Sequence, residues 1–274
     1  MEGGDAVRGE YVFAAAGCAG CHSAKDQPPL AGGRALETGF GIFYAPNITP
    51  DPETGIGRWS GADLYRALRQ GLRPDGRPYY PSLPYLRYTG MSDADLADLW
   101  AYLRSLEPVR QANRAHELDW PFGWRPGLNL WRARVFRERR WRPDPARTDA
   151  YNRGSYLVEV LGHCDECHTP RGLFGEPDVF RRLAGTAQGP SGEKVPNITP
   201  DRETGIGKWS RTDLLDLLES GALPNGDYVG DTMAEVVDRS TSKLTAFDRG
   251  AIATWLLEQA PVAHALGDAR PPAL

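Results

Sequence analysis

Every cysteine in this chain of 274 residues belongs to a C-x-x-C pair, and each pair is followed at once by histidine. The two copies read Cys18-Ala19-Gly20-Cys21-His22 and Cys164-Asp165-Glu166-Cys167-His168. No thiol is left over for a long-range disulfide. C-x-x-C-H is the attachment signature of a c-type haem. Its two thiols add to the two vinyl groups of one porphyrin, and the adjacent imidazole lies over the iron, where histidine is the usual proximal ligand. A zinc centre needs four converging ligands, and pooling the four cysteines would leave both histidines unexplained. A thioredoxin-like pair belongs beside a βαβ pattern, which is missing. The motifs therefore predict two covalently bound haem c groups, attached through Cys18, Cys21, Cys164 and Cys167, with His22 and His168 on the irons.

The motifs sit in an internal repeat. Positions 47–64 and 197–214, at a constant offset of 150, are identical at 14 of 18 places and include Asn-Ile-Thr-Pro-Asp and Gly-Ile-Gly-x-Trp-Ser. Upstream, Arg8-Gly9-Glu10-Tyr11 echoes Arg153-Gly154-Ser155-Tyr156, and Leu30-Ala31-Gly32 echoes Leu183-Ala184-Gly185. One module is present twice.

Each module reads as helices joined by long loops. A first helix, near 6–16 and again near 151–161, delivers the cysteines from its C-terminal end. Ser60 with Asp63, and Ser210 with Asp213, have the N-cap and N3 pattern ahead of apolar runs; Gly71 and Gly221 follow as C-caps. The last helices start at Ser92 with Asp95 and at Thr245 with Asp248, with apolar residues at helical spacing. No convincing alternating strand is visible. The predicted fold is mainly α: two tandem class I cytochrome c-like domains, 1–107 and 149–262, joined by an ordered connector, 108–148, and followed by a tail, 263–274. The connector holds Trp120, Trp124, Trp131 and Trp141 with several prolines, unlike a flexible Gly/Ser linker.

Hydrophobic residues make up 41% and charged residues 25%, a soluble globular profile. No apolar run is long enough to span a bilayer. The formal charge of −4 is too mild for a nucleic-acid partner, and no such motif is present. Residues 104–147 hold eleven arginines against five acids, near +6, so the remainder is near −10. That stretch reads as a solvated basic face, a docking surface, or a source of arginines for haem propionates. The start of the chain carries no secretory signal pattern. Haem attachment normally occurs outside the cytoplasm, so the chain is expected to be exported to the periplasm, its signal removed.

These motifs, together with Gly162-His163-Cys164 through Cys167-His168-Thr169-Pro170-Arg171, resemble the multihaem cytochrome c subunits of membrane-bound bacterial alcohol, aldehyde and gluconate dehydrogenases. The resemblance covers most of the chain, which is similar to the first two of their usual three haem domains and lacks their C-terminal membrane-associating segment. It implies electron transfer from a periplasmic dehydrogenase toward the respiratory chain, with a redox partner protein and no catalytic residue of the chain's own. It also implies that Met233, before the last helix, is the sixth ligand of the second iron. The offset of 150 then puts Leu83 at the matching position, in Pro81-Ser82-Leu83-Pro84-Tyr85 where the family pattern has methionine. Leucine cannot ligate iron. Met91 is a weaker candidate, because its repeat partner is Leu244 and both precede an N-cap, the hydrophobic-staple position. Tyr79, Tyr80, Tyr85, Tyr88, His116, water or an open iron share the remaining possibilities. Trp59 and Trp209, at matched helix entries, and Asn47 and Asn197, in the repeated loop, complete the expected cofactor-binding set. An open iron at Leu83 motivates the alternative of a haem enzyme or a gas- or peroxide-binding protein.

Overall fold

A computed structural model describes residues 3–190 and 192–266; Met1 and the part of the expected tail beyond 266 lie outside the described residues. The chain is mainly helical with one small sheet. In the first repeat, α1 (Ala6–Ala15) leads into α2 (Cys18–His22), then β1 (Ala35–Thr38), β2 (Gly41–Tyr44), α3 (Gly61–Gln70), α4 (Tyr85–Tyr88) and α5 (Asp93–Ser105). The following stretch adds β3 (Glu117–Leu118) and α6 (Arg125–Val135). The second repeat has α7 (Asp149–Tyr156), continued by a π-helical turn (Leu157–Leu161), then α8 (Asp165–His168), α9 (Arg211–Ser220), α10 (Asp231–Arg239) and α11 (Ala246–Leu257).

Local chemistry sets the ends of these helices. Asp5 accepts the N–H groups of Val7 and Arg8 at the start of α1. Ser60 with Asp63 and Ser210 with Asp213 form complete capping boxes, and Gly71 and Gly221 end both helices in the left-handed conformation. Within each repeat the first and last helices cross at a glycine. A Cβ on Gly9 would lie 2.0 Å from the Asp98 carbonyl oxygen, and one on Gly154 would lie 2.0 Å from that of Ala251. No larger residue admits backbones this close.

Two residues beyond each of these glycines, a tyrosine leaves its own repeat. Tyr11 accepts the Thr245 N–H (3.1 Å) and donates to Asp248 Oδ2 (2.6 Å) at the start of α11. Reciprocally, Tyr156 accepts the Ser92 N–H (2.9 Å) and donates to Asp95 Oδ2 at the start of α5. Elsewhere an N3 carboxylate reaches back to the N-cap N–H directly; here a hydroxyl from the other repeat is inserted between the two groups. The apolar core runs continuously across this junction, from Val12, Phe13 and Leu96 to Leu157, Val158 and Trp255.

The sheet corrects the expectation that strands are absent. β1 and β2 form an antiparallel hairpin, with Ala35 opposite Tyr44 and Thr38 opposite Gly41, and β3 adds beside β2. Each strand is short, and β3 comes from far along the chain, so no local alternation announces it. The stretch carrying β3 and α6 is tied down on both sides. The Arg125 guanidinium donates to the Pro78 carbonyl (3.0 Å), and the Trp141 indole donates to Ser155 Oγ (3.1 Å).

Replacing Tyr156 by phenylalanine leaves the Ser92 N–H and the Asp95 carboxylate unpartnered and should cost about 1–3 kcal/mol, read as a lower denaturant midpoint. The junction should also weaken at both pH extremes. Burial tends to raise the Asp248 carboxyl, but hydrogen bonds from Arg153 and Tyr11 outweigh it, so the net shift is downward. Its stabilisation is full above the unfolded value near ~4 and is lost as pH falls through the folded value. Burial first, then the facing carboxylates, raises both Tyr11 and Tyr156. Their contribution is full below the unfolded value near ~10 and is lost as pH rises beyond it. A denaturant midpoint that stays flat from neutral pH down to pH ~2 would contradict the acid limb.

Candidate haem sites

Both C-x-x-C-H motifs are held by the same bracket. His22 Nδ1 lies 2.8 Å from the Pro46 carbonyl oxygen, and His168 Nδ1 lies 2.8 Å from that of Pro196. A carbonyl only accepts, so each ring carries its proton on Nδ1 and directs the Nε2 lone pair outward. Burial pushes both imidazoles down, partly opposed by the proline carbonyls. They are therefore neutral at pH 7, as a metal ligand must be.

The bracket closes through the repeated Leu-Ala-Gly turn. The Gly32 N–H donates to the His22 carbonyl (2.9 Å), and the Gly185 N–H donates to that of His168 (2.7 Å). Gly32 and Gly185 both have φ +78°, and a Cβ on either would sit within 2.6 Å of the Pro-Asn backbone that presents the accepting carbonyl. Leu30 and Leu183 also take left-handed conformations, at 62° and 61°. Such strain in a non-glycine residue costs on the order of 1 kcal/mol and persists only where the surroundings impose it.

None of the four cysteines is in a disulfide. Burial pushes Cys18, Cys164 and Cys167 up to about 12, and raises Cys21 as well. The residue before each motif has positive φ, Gly17 at 63° and His163 at 37°, which turns the helix into the attachment segment. Two uncrosslinked thiols beside an imidazole with a free Nε2 fit a covalently bound haem c, and the fit recurs at both motifs. When bound, that group supplies one-electron redox chemistry; the chain's residues hold it and set its surroundings.

Asn47 and Asn197, expected at the cofactor, hold the loop behind each histidine. Asn47 Oδ1 accepts from the Thr49 N–H and hydroxyl (2.9 and 2.7 Å), while Nδ2 donates to Thr54 Oγ1 and the Val109 carbonyl (3.1 and 2.7 Å). Asn197 makes the same four bonds to Thr199, Thr204 and Val262. Both are 2% exposed. Every hydrogen-bonding position of the amide is used, so these side chains lock the Pro-Asn loop that carries the carbonyl acceptor. Trp59 and Trp209 pack partly buried against the core at matched positions, and among the described residues neither indole N–H has a protein acceptor.

At the positions expected to supply a sixth ligand the repeats diverge. Met233 lies in the first turn of α10, not in a loop, and is half-buried. Leu83 is also half-buried, just before α4. Met91 is 0% exposed, and its carbonyl accepts from the buried Arg69 guanidinium. Its counterpart Leu244 is buried too, with its carbonyl held by Arg249. The Tyr88 hydroxyl donates to the Ala16 carbonyl (2.8 Å), and burial raises Tyr79 and Tyr85 to about 12. Tyr80 and His116 meet Phe43 and each other in tilted or edge-to-face contacts, and His116 Nδ1 accepts the Tyr44 N–H (3.1 Å).

Two arginines carry no signal in the sequence. Arg87 of α4 reaches across to the second motif, with Nε 3.0 Å from Asp165 Oδ1. Arg239 of α10 reaches back to the first, with Nη1 2.9 Å from the Ala19 carbonyl. Each lies a few residues beyond the expected sixth-ligand position of its own repeat, but they share no local pattern that sequence inspection could detect.

The Gly185→Ala substitution should drive the Pro196 carbonyl off His168 Nδ1. We expect about 1–3 kcal/mol of destabilisation and reduced haem attachment at the second motif. Peptide mass mapping of the haem-bearing fragments checks this, since the first motif should remain fully loaded.

The cytochrome c family model matches residues 6–107. A dihaem cytochrome c-type protein of Cereibacter sphaeroides is 44% identical over 92% of this chain and 85% of its own length. The cytochrome subunit of the fructose dehydrogenase of Gluconobacter japonicus is 38% identical over 91% of this chain and 51% of its own length. The cytochrome c subunit of the quinone alcohol dehydrogenase of Gluconobacter oxydans is 36% identical over 91% of this chain and 53% of its own length. The chain thus spans about half the length of these two dehydrogenase subunits. With its haem motifs and brackets, the chain belongs to the cytochrome c family.

Proposed function

We propose that the chain is a dihaem electron carrier built from two tandem class I cytochrome c-like domains, 1–107 and 149–262, which the stretch 108–148 holds together. The observation that carries this reading is the duplicated bracket. The same imidazole–carbonyl pairing and the same left-handed turn stand behind each C-x-x-C-H motif. Arg87 of the first repeat reaches the second motif and Arg239 of the second repeat reaches the first, so both motifs lie at the junction between the repeats. Two haems attached there adjoin across the junction, and an electron passes between them inside one molecule.

Met233 supplies the sixth ligand of the haem at the second motif, and a thioether raises the potential. At the first motif Leu83 offers no donor atom. Met91 is a core staple, fixed through its carbonyl and fully buried, so it stays with the core. The first haem is then the lower-potential centre on the donor side, and the second passes electrons onward. The donor is a dehydrogenase in the periplasm and the destination is the respiratory chain, a reading supported by relatives that are dehydrogenase subunits.

Carbon monoxide tests the coordination. The reduced holoprotein should bind gas at about half of its haem, and the Leu83→Met variant should abolish that binding. No binding to the parent protein would overturn the open first iron, and a haem content of one per chain would overturn the dihaem reading.

A further inference from the structure

The two cross-repeat arginines meet different chemistry. At the first motif the intervening residues are Ala19 and Gly20, and Arg239 bonds only to backbone carbonyls, 2.9 Å from Ala19 and 3.5 Å from Ser23. At the second motif they are Asp165 and Glu166. Asp165 has no exposed side-chain surface, and Glu166 has little. A carboxylate so placed is costly without a counter-charge. The second repeat supplies two. Arg182 Nε lies 3.0 Å from Asp165 Oδ2 and its Nη1 2.6 Å from Glu159 Oε1, while Arg171 pairs with Glu166. Three acids thus face two arginines of their own repeat. Arg87 balances the set from the first repeat, 3.0 Å from Asp165 and 3.3 Å from Glu166.

We propose that Arg87 sets the reduction potential of the haem at the second motif by supplying, from the other repeat, the third cation that completes the neutralisation of Glu159, Asp165 and Glu166. Uncompensated negative charge beside a haem favours the ferric over the ferrous state, so it lowers the potential. Arg87 therefore acts through the acidic pair as a positioning and tuning residue. Its placement makes the potential of the second centre depend on the first repeat being docked. The inference rests on the dihaem reading given above.

The test is a potentiometric titration of the full-length holoprotein, resolved into two components. Arg87→Gln should shift one component to lower potential. Glu166→Gln should shift that same component upward, and Arg87→Lys should leave it near the parent value. Opposite signs on one component separate a charge effect from general loosening of the site, which would move both variants in one direction. Equal-signed shifts, or no shift in either variant with both haems attached, overturn the proposal. If Arg87→Gln does not accumulate as holoprotein, the Glu166→Gln shift decides alone, and its absence overturns the proposal. A parent protein with haem on only one motif would instead remove the dihaem reading beneath it.

Discussion

The rest of the molecule hangs on a hydroxyl group placed inside another repeat's helix cap. Tyr11 and Tyr156 each accept an N-cap N–H and donate to the N3 carboxylate of a helix belonging to the other half. A helix terminus exposes N–H groups that must be satisfied, and ordinarily they are satisfied locally. Exporting that task makes each final helix complete only when the other repeat is present. Because those helices cross the first helices at Gly9 and Gly154, the docking of the halves and the placement of the haem motifs are mechanically linked.

The haem brackets follow the opposite logic. Each is built from a turn and a proline carbonyl of its own repeat and an asparagine clamp onto the chain just after the last helix, and the two are closely alike in their hydrogen bonding. What differs between the halves is concentrated in a few side chains: Leu83 against Met233, Ala19 and Gly20 against Asp165 and Glu166. The architecture thus keeps the histidine side of both motifs constant and leaves the opposite side and the charge environment free to vary. Axial ligation, local charge and solvent access are the levers by which a protein adjusts a haem.

Legibility from the sequence followed the range of the interactions. The first helices, the capping boxes at Ser60 and Ser210 and the C-caps at Gly71 and Gly221 were readable because their chemistry lies within a few residues of chain. The small sheet was not, since β2 finds β3 more than seventy residues away. Arg87 and Arg239 were equally invisible, because an arginine's partner is set by the docking of the halves. Asn47 and Asn197 were marked by their repetition, while the bonds by which they hold the Pro-Asn loop reach partners more than sixty residues away.

The exchange of tyrosines has the form of an isologous contact, in which the same patch meets itself about a two-fold axis. Two separate copies of such a module would pair by this contact at a strength that depends on concentration. Joining them in one chain replaces that dependence with a fixed effective concentration. It also lifts the constraint that both partners be the same. A symmetric dimer cannot keep Met233 in one half and Leu83 at the matching place in the other, or acids within one motif and none within its mate. The fused pair can, so each half is free to surround its motif differently.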